Sequence, residues 1–277
     1  MPTPSILVAT WGDGLFSLTG KTVHQELADQ SVRSLVADGR GGLLAIVSGH
    51  SLCRRSCAGE WTAIAKSEFE LSCCVPIGND VFVGTNDARI VRVDPDGAQQ
   101  CLTGFEAVAG RDTWYAGGAI IDGKLMGPPL GIRSMAATSD GAVLLANVHV
   151  GGVPRSTDSG LTWRTTIDIE SDVHQVCVHP TRPDIVIAAA AAGLCISRDA
   201  GTTWTIEQQG LHAHHCSAVA FGSNGIFVSA STDPFATEGG FIDARSTATA
   251  RCNLWAEGCR SGSTASPIPT ALRPESQ

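Results

Sequence analysis

Four histidines are the first residues to consider for chemistry: His149, His174, His212 and His214 each stand near an end of a short apolar run. Imidazoles gathered around one point, with a coordination position left open, suit Zn, Mn or Fe. Such an ion supports hydrolase or lyase chemistry by polarising an oxygen or activating water. No cofactor is certain from these residues, and a divalent metal is the candidate. Asp13, Asp87 and Asp233 are the nearby carboxylates, although an Asp at a β turn commonly serves the turn itself. A second set is cationic. Arg33 and Arg133 open apolar runs, and guanidinium groups recognise carboxylates and phosphates through paired N–H donors. Their purely structural role would be ion pairs with Asp13, Asp87 or Asp172. Together with the adjacent aromatics Trp114 and Tyr115, this makes Asp13, Arg33, Asp87, Arg133, Trp114 and Tyr115 the candidate binders of a small polar or anionic ligand. The ordinary role of Trp114 and Tyr115 would be to pack their segment on the rest of the molecule. A histidine at a strand end is, in the same way, more often a hydrogen-bonded structural residue than a ligand. No nucleophile is paired with a base at a diagnostic spacing.

The elements that hold these residues belong to a chain of 277 residues with 43% hydrophobic and 17% charged residues and 31 glycines. The low charged fraction excludes disorder and coiled coil. With 19 Lys+Arg against 27 Asp+Glu and a net charge of −8, the chain lacks the basic footprint of a nucleic-acid binder. The first residues carry no basic region before an apolar stretch, and no run reaches the roughly 20 apolar residues of a membrane span. Ten cysteines in such a chain read as reduced small hydrophobes, which places the protein in the cytoplasm. Cys53/Cys57 and the vicinal Cys73-Cys74 have no second CxxC at zinc-ribbon distance.

An internal repeat organises the chain. Ser156-Thr157-Asp158-Ser159-Gly160-Leu161-Thr162-Trp163 recurs 41 residues later as Ser197-Arg198-Asp199-Ala200-Gly201-Thr202-Thr203-Trp204, and both fit S-x-D-x-G-x-x-W. The physics is that of a tight turn. Asp158 and Asp199 can accept bonds from turn N–H groups, Gly160 and Gly201 can take positive φ, and Trp163 and Trp204 return to cover the sheet. Ser156 and Ser197 open the motif. The pattern resembles the Asp-box (BNR) repeat of sialidase-like and related β-propellers. That resemblance implies an architecture more than an activity, and it gives the motif residues a structural role away from any active site.

Between the turns run short β segments with little helical periodicity. Inner strands are expected at Val32–Ala37, Leu71–Pro76, Ile132–Thr138, Val173–Val178 and Cys216–Phe221, each followed by a second apolar run. Their aligned starts are 38, 62, 41 and 42 residues apart, and the long interval holds an insertion at roughly Thr103–Gly131. Three further strands near the N-terminus lack an inner partner, which suggests a blade completed by the other end of the chain. The expected fold is therefore all-β. It is a single propeller of about six four-stranded blades, with seven as the alternative, over residues 1–255. Residues 256–277 read as a loose Ser/Thr/Pro-rich tail. Because that end offers no convincing closing strand, incomplete closure is part of the expectation.

In a propeller the starts of inner strands and the ends of second strands share one face. His149, His174, and His212 or His214 then come from three consecutive blades and can converge there, with the insertion lying over the same mouth. Three readings compete. The leading one is a module that binds a small polar or anionic ligand, or a protein partner, with no nucleic acid or membrane involved. A metal-dependent hydrolase or lyase is the alternative. A sialidase-like glycoside hydrolase is weakest: the family needs three arginines and a Tyr–Glu pair, whereas Tyr115 is the one tyrosine and has no evident Glu partner.

Overall fold

The computed structural model describes residues 5–116, 119–121, 124–126, 130–168, 171–211, 213–222 and 225–232, together with the short strands 243–244, 248–249 and 255–257. Among these, 26 strands form six four-stranded sheets and one two-stranded hairpin. The first sheet contains β1 (Ser5–Ala9), β2 (Leu15–Thr19) and β3 (Thr22–Glu26). In the second are β4 (Val32–Ala37), β5 (Leu43–Val47), β6 (Ser51–Arg55) and β7 (Trp61–Lys66). The third holds β8 (Leu71–Ile77), β9 (Asp80–Thr85), β10 (Ile90–Val93) and β11 (Gln99–Cys101). An insertion follows, with α1 (Thr103–Glu106), a 3-10 turn (Arg111–Thr113) and a hairpin of β12 (Ala119–Ile121) and β13 (Lys124–Met126). The fourth sheet is β14 (Ile132–Ala137), β15 (Leu144–Val148), β16 (Pro154–Ser156) and β17 (Arg164–Thr165). The fifth is β18 (Val173–Val178), β19 (Val186–Ala190), β20 (Gly193–Ser197) and β21 (Thr205–Glu207). The sixth comprises β22 (His215–Gly222), β23 (Gly225–Ser231), β24 (Asp243–Ala244) and β25 (Ala248–Thr249), with β23 and β25 parallel at Ile226 and Ala248. Finally β26 (Trp255–Glu257) pairs antiparallel with β1, Leu7 opposite Trp255, so the first sheet takes its fourth strand from the far end of the chain. This strand spans the boundary drawn at residue 255, and residues 258–277 lie outside the described residues.

The strand sequences explain the layering. All five residues of β5, β15 and β19 are buried. Continuous burial rather than alternation is what a strand shows when both faces of its sheet are covered. The covers are the neighbouring sheets. Five hydrophobic clusters lie between the first and second, second and third, third and fourth, fourth and fifth, and fifth and sixth sheets. The core is thus a series of interfaces between successive sheets, as expected for blades.

The insertion belongs to one of these interfaces. Phe105 is fully buried, with its ring 5.5 Å from Trp114 and 5.1 Å from Trp163. A Cβ on Gly104 would stand 1.8 Å from the Leu161 carbonyl oxygen, so the small helix lies directly on the turn between β16 and β17.

That turn and its counterpart between β20 and β21 are built alike. Asp158 Oδ1 accepts from Thr162 N at 2.9 Å and Asp199 Oδ1 from Thr203 N at 2.8 Å. The hydroxyls of Ser156 and Ser197 accept from Gly160 N and Gly201 N at 2.9 and 2.8 Å. Both glycines have positive φ, 85° and 79°. A Cβ on either glycine would meet a leucine, Leu102 just after β11 or Leu145 in β15. Trp163 Nε1 closes its turn by donating to Gly160 O at 2.9 Å, while Trp204 Nε1 donates to Thr166 Oγ1 at 3.1 Å.

Candidate functional site

A repeated irregularity positions the site. In the third to sixth sheets, the pairing of inner strand with second strand skips one residue near the start: Ser72, Arg133, His174 and Ser217 have no partner in the ladder. A bulge of this kind bends the strand and re-aims a side chain. Two of the four reach the next sheet at the same point. Ser72 Oγ donates to Ile132 O at 2.5 Å, and His174 Nδ1 lies 2.6 Å from Cys216 O. In the fourth sheet that stitch comes instead from Asn147, whose Nδ2 donates to Val173 O at 2.7 Å. A second stitch runs just behind: Ser34, Ser134 and Gln175 accept from the backbone N–H of Cys74, Val176 and Val219 at 2.8, 2.9 and 3.0 Å.

On this frame five polar side chains meet. Arg133 stands at the bulge of β14, His149 follows β15, Asp172 precedes β18, His174 is the bulge of β18, and His215 opens β22. Asp172 Oδ1 lies 2.7 Å from His149 Nε2 and 3.1 Å from His174 Nε2. The three ligand atoms of this set lie within 4.8 Å of one another. Oδ1 is shielded from solvent, so the two imidazoles are its polar partners. The His174 ring is 5.4 Å from that of His149 and 4.7 Å from that of His215. Arg133 Nη1 lies 3.2 Å from His149 Nδ1.

The hydrogen-bonding chemistry fixes the tautomers. A guanidinium only donates, so Nδ1 of His149 is the acceptor and the ring proton sits on Nε2. A carbonyl only accepts, so Nδ1 of His174 carries a proton and directs its lone pair, when the ring is neutral, through Nε2 toward Asp172. A lone pair 3.1 Å from a carboxylate oxygen is repulsive unless a proton or a cation lies between them. Burial pushes the Asp172 carboxyl up, but the contacts and charge of His149 and His174 outweigh it and hold it well below the usual carboxylate range. Burial likewise presses the Arg133 guanidinium below its ordinary value, against the pull of Asp172.

The other expected residues are placed as follows. Arg33 pairs with Glu70 at 3.1 Å, and its guanidinium lies 4.1 Å over the ring of Trp11, which is 78% exposed. A hydrogen bond from Asn86, the Arg33 contact and its charge hold the Glu70 carboxyl below its usual value. Asp13 works through its backbone in a turn, N to Thr10 Oγ1 at 3.1 Å and O from Gln25 Nε2 at 2.7 Å. Asp87 accepts from Thr85 Oγ1 and pairs with Arg89 at 2.7 Å, so its carboxylate is engaged within its own turn. Trp114 is 6% exposed and packs on Phe105, which makes it part of the core that the insertion shares with the third and fourth sheets. Tyr115 is 58% exposed, and its backbone bridges Val150, which in turn bridges Asp172. The insertion is thereby tied to the strand segment beside His149. His214 is exposed, His215 occupies the position beside His174, and His212 and Asp233 lie outside the described residues. Burial pushes the thiols of Cys73 and Cys74 up to about 12, so both remain protonated.

Asp172 and His215 were not singled out as site residues by sequence reasoning. The available signal was position: Asp172 directly precedes an inner strand, two residues from His174, and His215 starts one.

No family model matches the chain, and no curated protein matches it. Solved structures do. The computationally designed Ika8 protein is 12% identical with a TM-score of 0.54, covering 82% of this chain and 65% of its own. YCF48 bound to D1 peptide is 13% identical with a TM-score of 0.54, covering 83% and 77%. A GH74 enzyme from Niastella koreensis is 13% identical with a TM-score of 0.52, covering 86% of this chain and 36% of its own. The neighbours are β-propeller proteins, and the chain has the β-propeller fold. Among the described residues no helix is long and apolar enough to cross a membrane.

Proposed function

We propose that the chain is an Asp-box propeller that binds a small polar or anionic ligand at the face where the fourth to sixth inner strands begin. One observation carries this reading. Arg133 enters the cluster with its guanidinium bonded to an imidazole nitrogen, whereas Arg33, Arg55, Arg89 and Arg92 each pair with a carboxylate. The same cluster holds three histidines, and a carboxylate or phosphate is the kind of group that a guanidinium fork recognises. The two turns with the same Asp, Ser and Gly bonds support the Asp-box assignment. A reducing, cytoplasmic setting is supported by the eight described cysteines, all of them free. A glycoside hydrolase would need two carboxyl groups across the mouth, and the ion pairs of Glu70 and Asp87 weigh against that reading.

The test is calorimetric titration of the full chain with phosphate and with acetate, repeated on Arg133→Ala. A loss of at least about tenfold in affinity is expected from removing charge-assisted hydrogen bonds. Equal affinity in the two proteins, or no binding of either anion to the wild type, removes the reading.

A further inference from the structure

We propose that His149, Asp172 and His174 form a divalent-cation site, and that its occupation transfers Arg133 from His149 to an incoming anion. The donor set is two imidazole nitrogens and one carboxylate oxygen, from two adjoining blades, all at one end of their sheets. Two histidines and a carboxylate with open positions are a recognised set for Zn or Fe(II). Metal–ligand bonds of about 2.0–2.2 Å place tetrahedral donors roughly 3.3–3.5 Å apart. The observed Nε2 to Oδ1 distances of 2.7 and 3.1 Å need only a small opening to admit an ion. Beyond the donors, the Cys216 carbonyl holds Nδ1–H of His174 and so turns its Nε2 lone pair toward Asp172. Oδ1 now faces Nε2–H of His149 at 2.7 Å and Nε2 of His174 at 3.1 Å, and a cation between the three atoms would take the place of that proton.

His149 is the residue that must change. With Arg133 donating to Nδ1, its Nε2 carries the proton and cannot ligate. Binding a cation through Nε2 moves that proton to Nδ1, with the ring neutral before and after. Nδ1–H then faces the Arg133 donor, and the guanidinium must leave. It is the same guanidinium that the proposed function assigns to the anion, so this half of the inference rests on that reading. Cation and anion should therefore bind with positive coupling, each raising the affinity of the other by the same factor.

The experiment uses the full, untagged chain with Zn²⁺ in chloride buffer, a chelator competition for affinity, and imidazole ¹⁵N NMR for the tautomers. We expect one Zn²⁺ per chain and at least a tenfold weakening in both Asp172→Asn and His174→Ala. Asp172→Asn keeps the shape of the site should His174→Ala fail to fold. Arg133→Ala should bind Zn²⁺ several-fold more tightly, because nothing then competes for Nδ1 of His149. The NMR should show His149 with its proton on Nε2 before Zn²⁺ and on Nδ1 after it. Absent Zn²⁺ binding, binding unchanged in Asp172→Asn, or a His149 proton already on Nδ1 without metal each overturns the proposal. Acetate separates the two ideas. Coupling between Zn²⁺ and acetate that disappears in Arg133→Ala supports both. Arg133-dependent acetate binding without Zn²⁺ binding leaves the anion site standing and removes the cation. Zn²⁺ binding with the tautomer change but no acetate binding leaves the cation and removes the anion.

Discussion

Asp158 and Asp199 show how much a single side chain does in this protein. For Asp158 the Thr162 hydroxyl and backbone N–H come first, and they bring its carboxyl down to about 2. For Asp199 burial pushes upward, yet the Thr203 side chain and backbone and the Ser197 hydroxyl prevail and bring it down to about 2. Both values are depressed relative to an unfolded Asp near 3.9, so the stabilisation is fully present above about pH 4 and is lost as the pH falls toward 2. The melting temperature of the wild type should drop across that window, and that of Asp158→Asn/Asp199→Asn should change less. A scan of melting temperature from pH 5 to pH 2 checks it; parallel curves would refute it. These two residues were legible because a turn motif is local. Asp172 was not, because its meaning comes from two imidazoles on separate sheet segments, a relation that only the register of the inner strands creates.

Elements meet through backbone contacts that leave no room for a side chain. Gly104→Ala should cost about 1–3 kcal/mol or more, because the added Cβ meets the Leu161 carbonyl at 1.8 Å and must push the insertion off its turn. Gly12→Ala, where nothing lies within 4 Å, serves as the neutral control in urea unfolding. Ser134→Ala should cost about 1–2 kcal/mol by leaving the Val176 N–H without its acceptor between the fourth and fifth sheets. A threonine at that position, which restores an acceptor, should recover part of the loss. Strand positions were readable with small error: β4 and β18 fall where apolar runs predict them, and β22 begins one residue early, at His215. The bulges were invisible, since one unpaired residue does not disturb an apolar run of this length. The closing strand was missed for a different reason. Three residues, Trp255–Glu257, are too few to show periodicity.

At the scale of the whole molecule, the core is divided among interfaces between consecutive sheets, so distant cavities should act independently. Ile46 lies in the cluster between the second and third sheets and Ile187 in that between the fifth and sixth, and both are fully buried. Ile46→Val and Ile187→Val should each cost about 0.5–1.5 kcal/mol, and the double variant should equal their sum within about 0.5 kcal/mol. Denaturant unfolding of the four proteins decides it, and a coupling larger than that would mean that the interfaces communicate. The propeller itself was legible from the motif's resemblance to the Asp-box repeat together with the repeat spacing, because each blade buries its faces only against neighbours of the same kind. The bulges carry that modularity to the face proposed to bind a ligand. Ser72 and His174 hold the next blade by a carbonyl and are constrained by the fold, whereas Arg133 and Ser217 make no such stitch among the described residues. Every second bulge on this face is thus an address that blade assembly does not occupy, and a codon library at Arg133 and Ser217 would test the proposed ligand binding with the scaffold held constant.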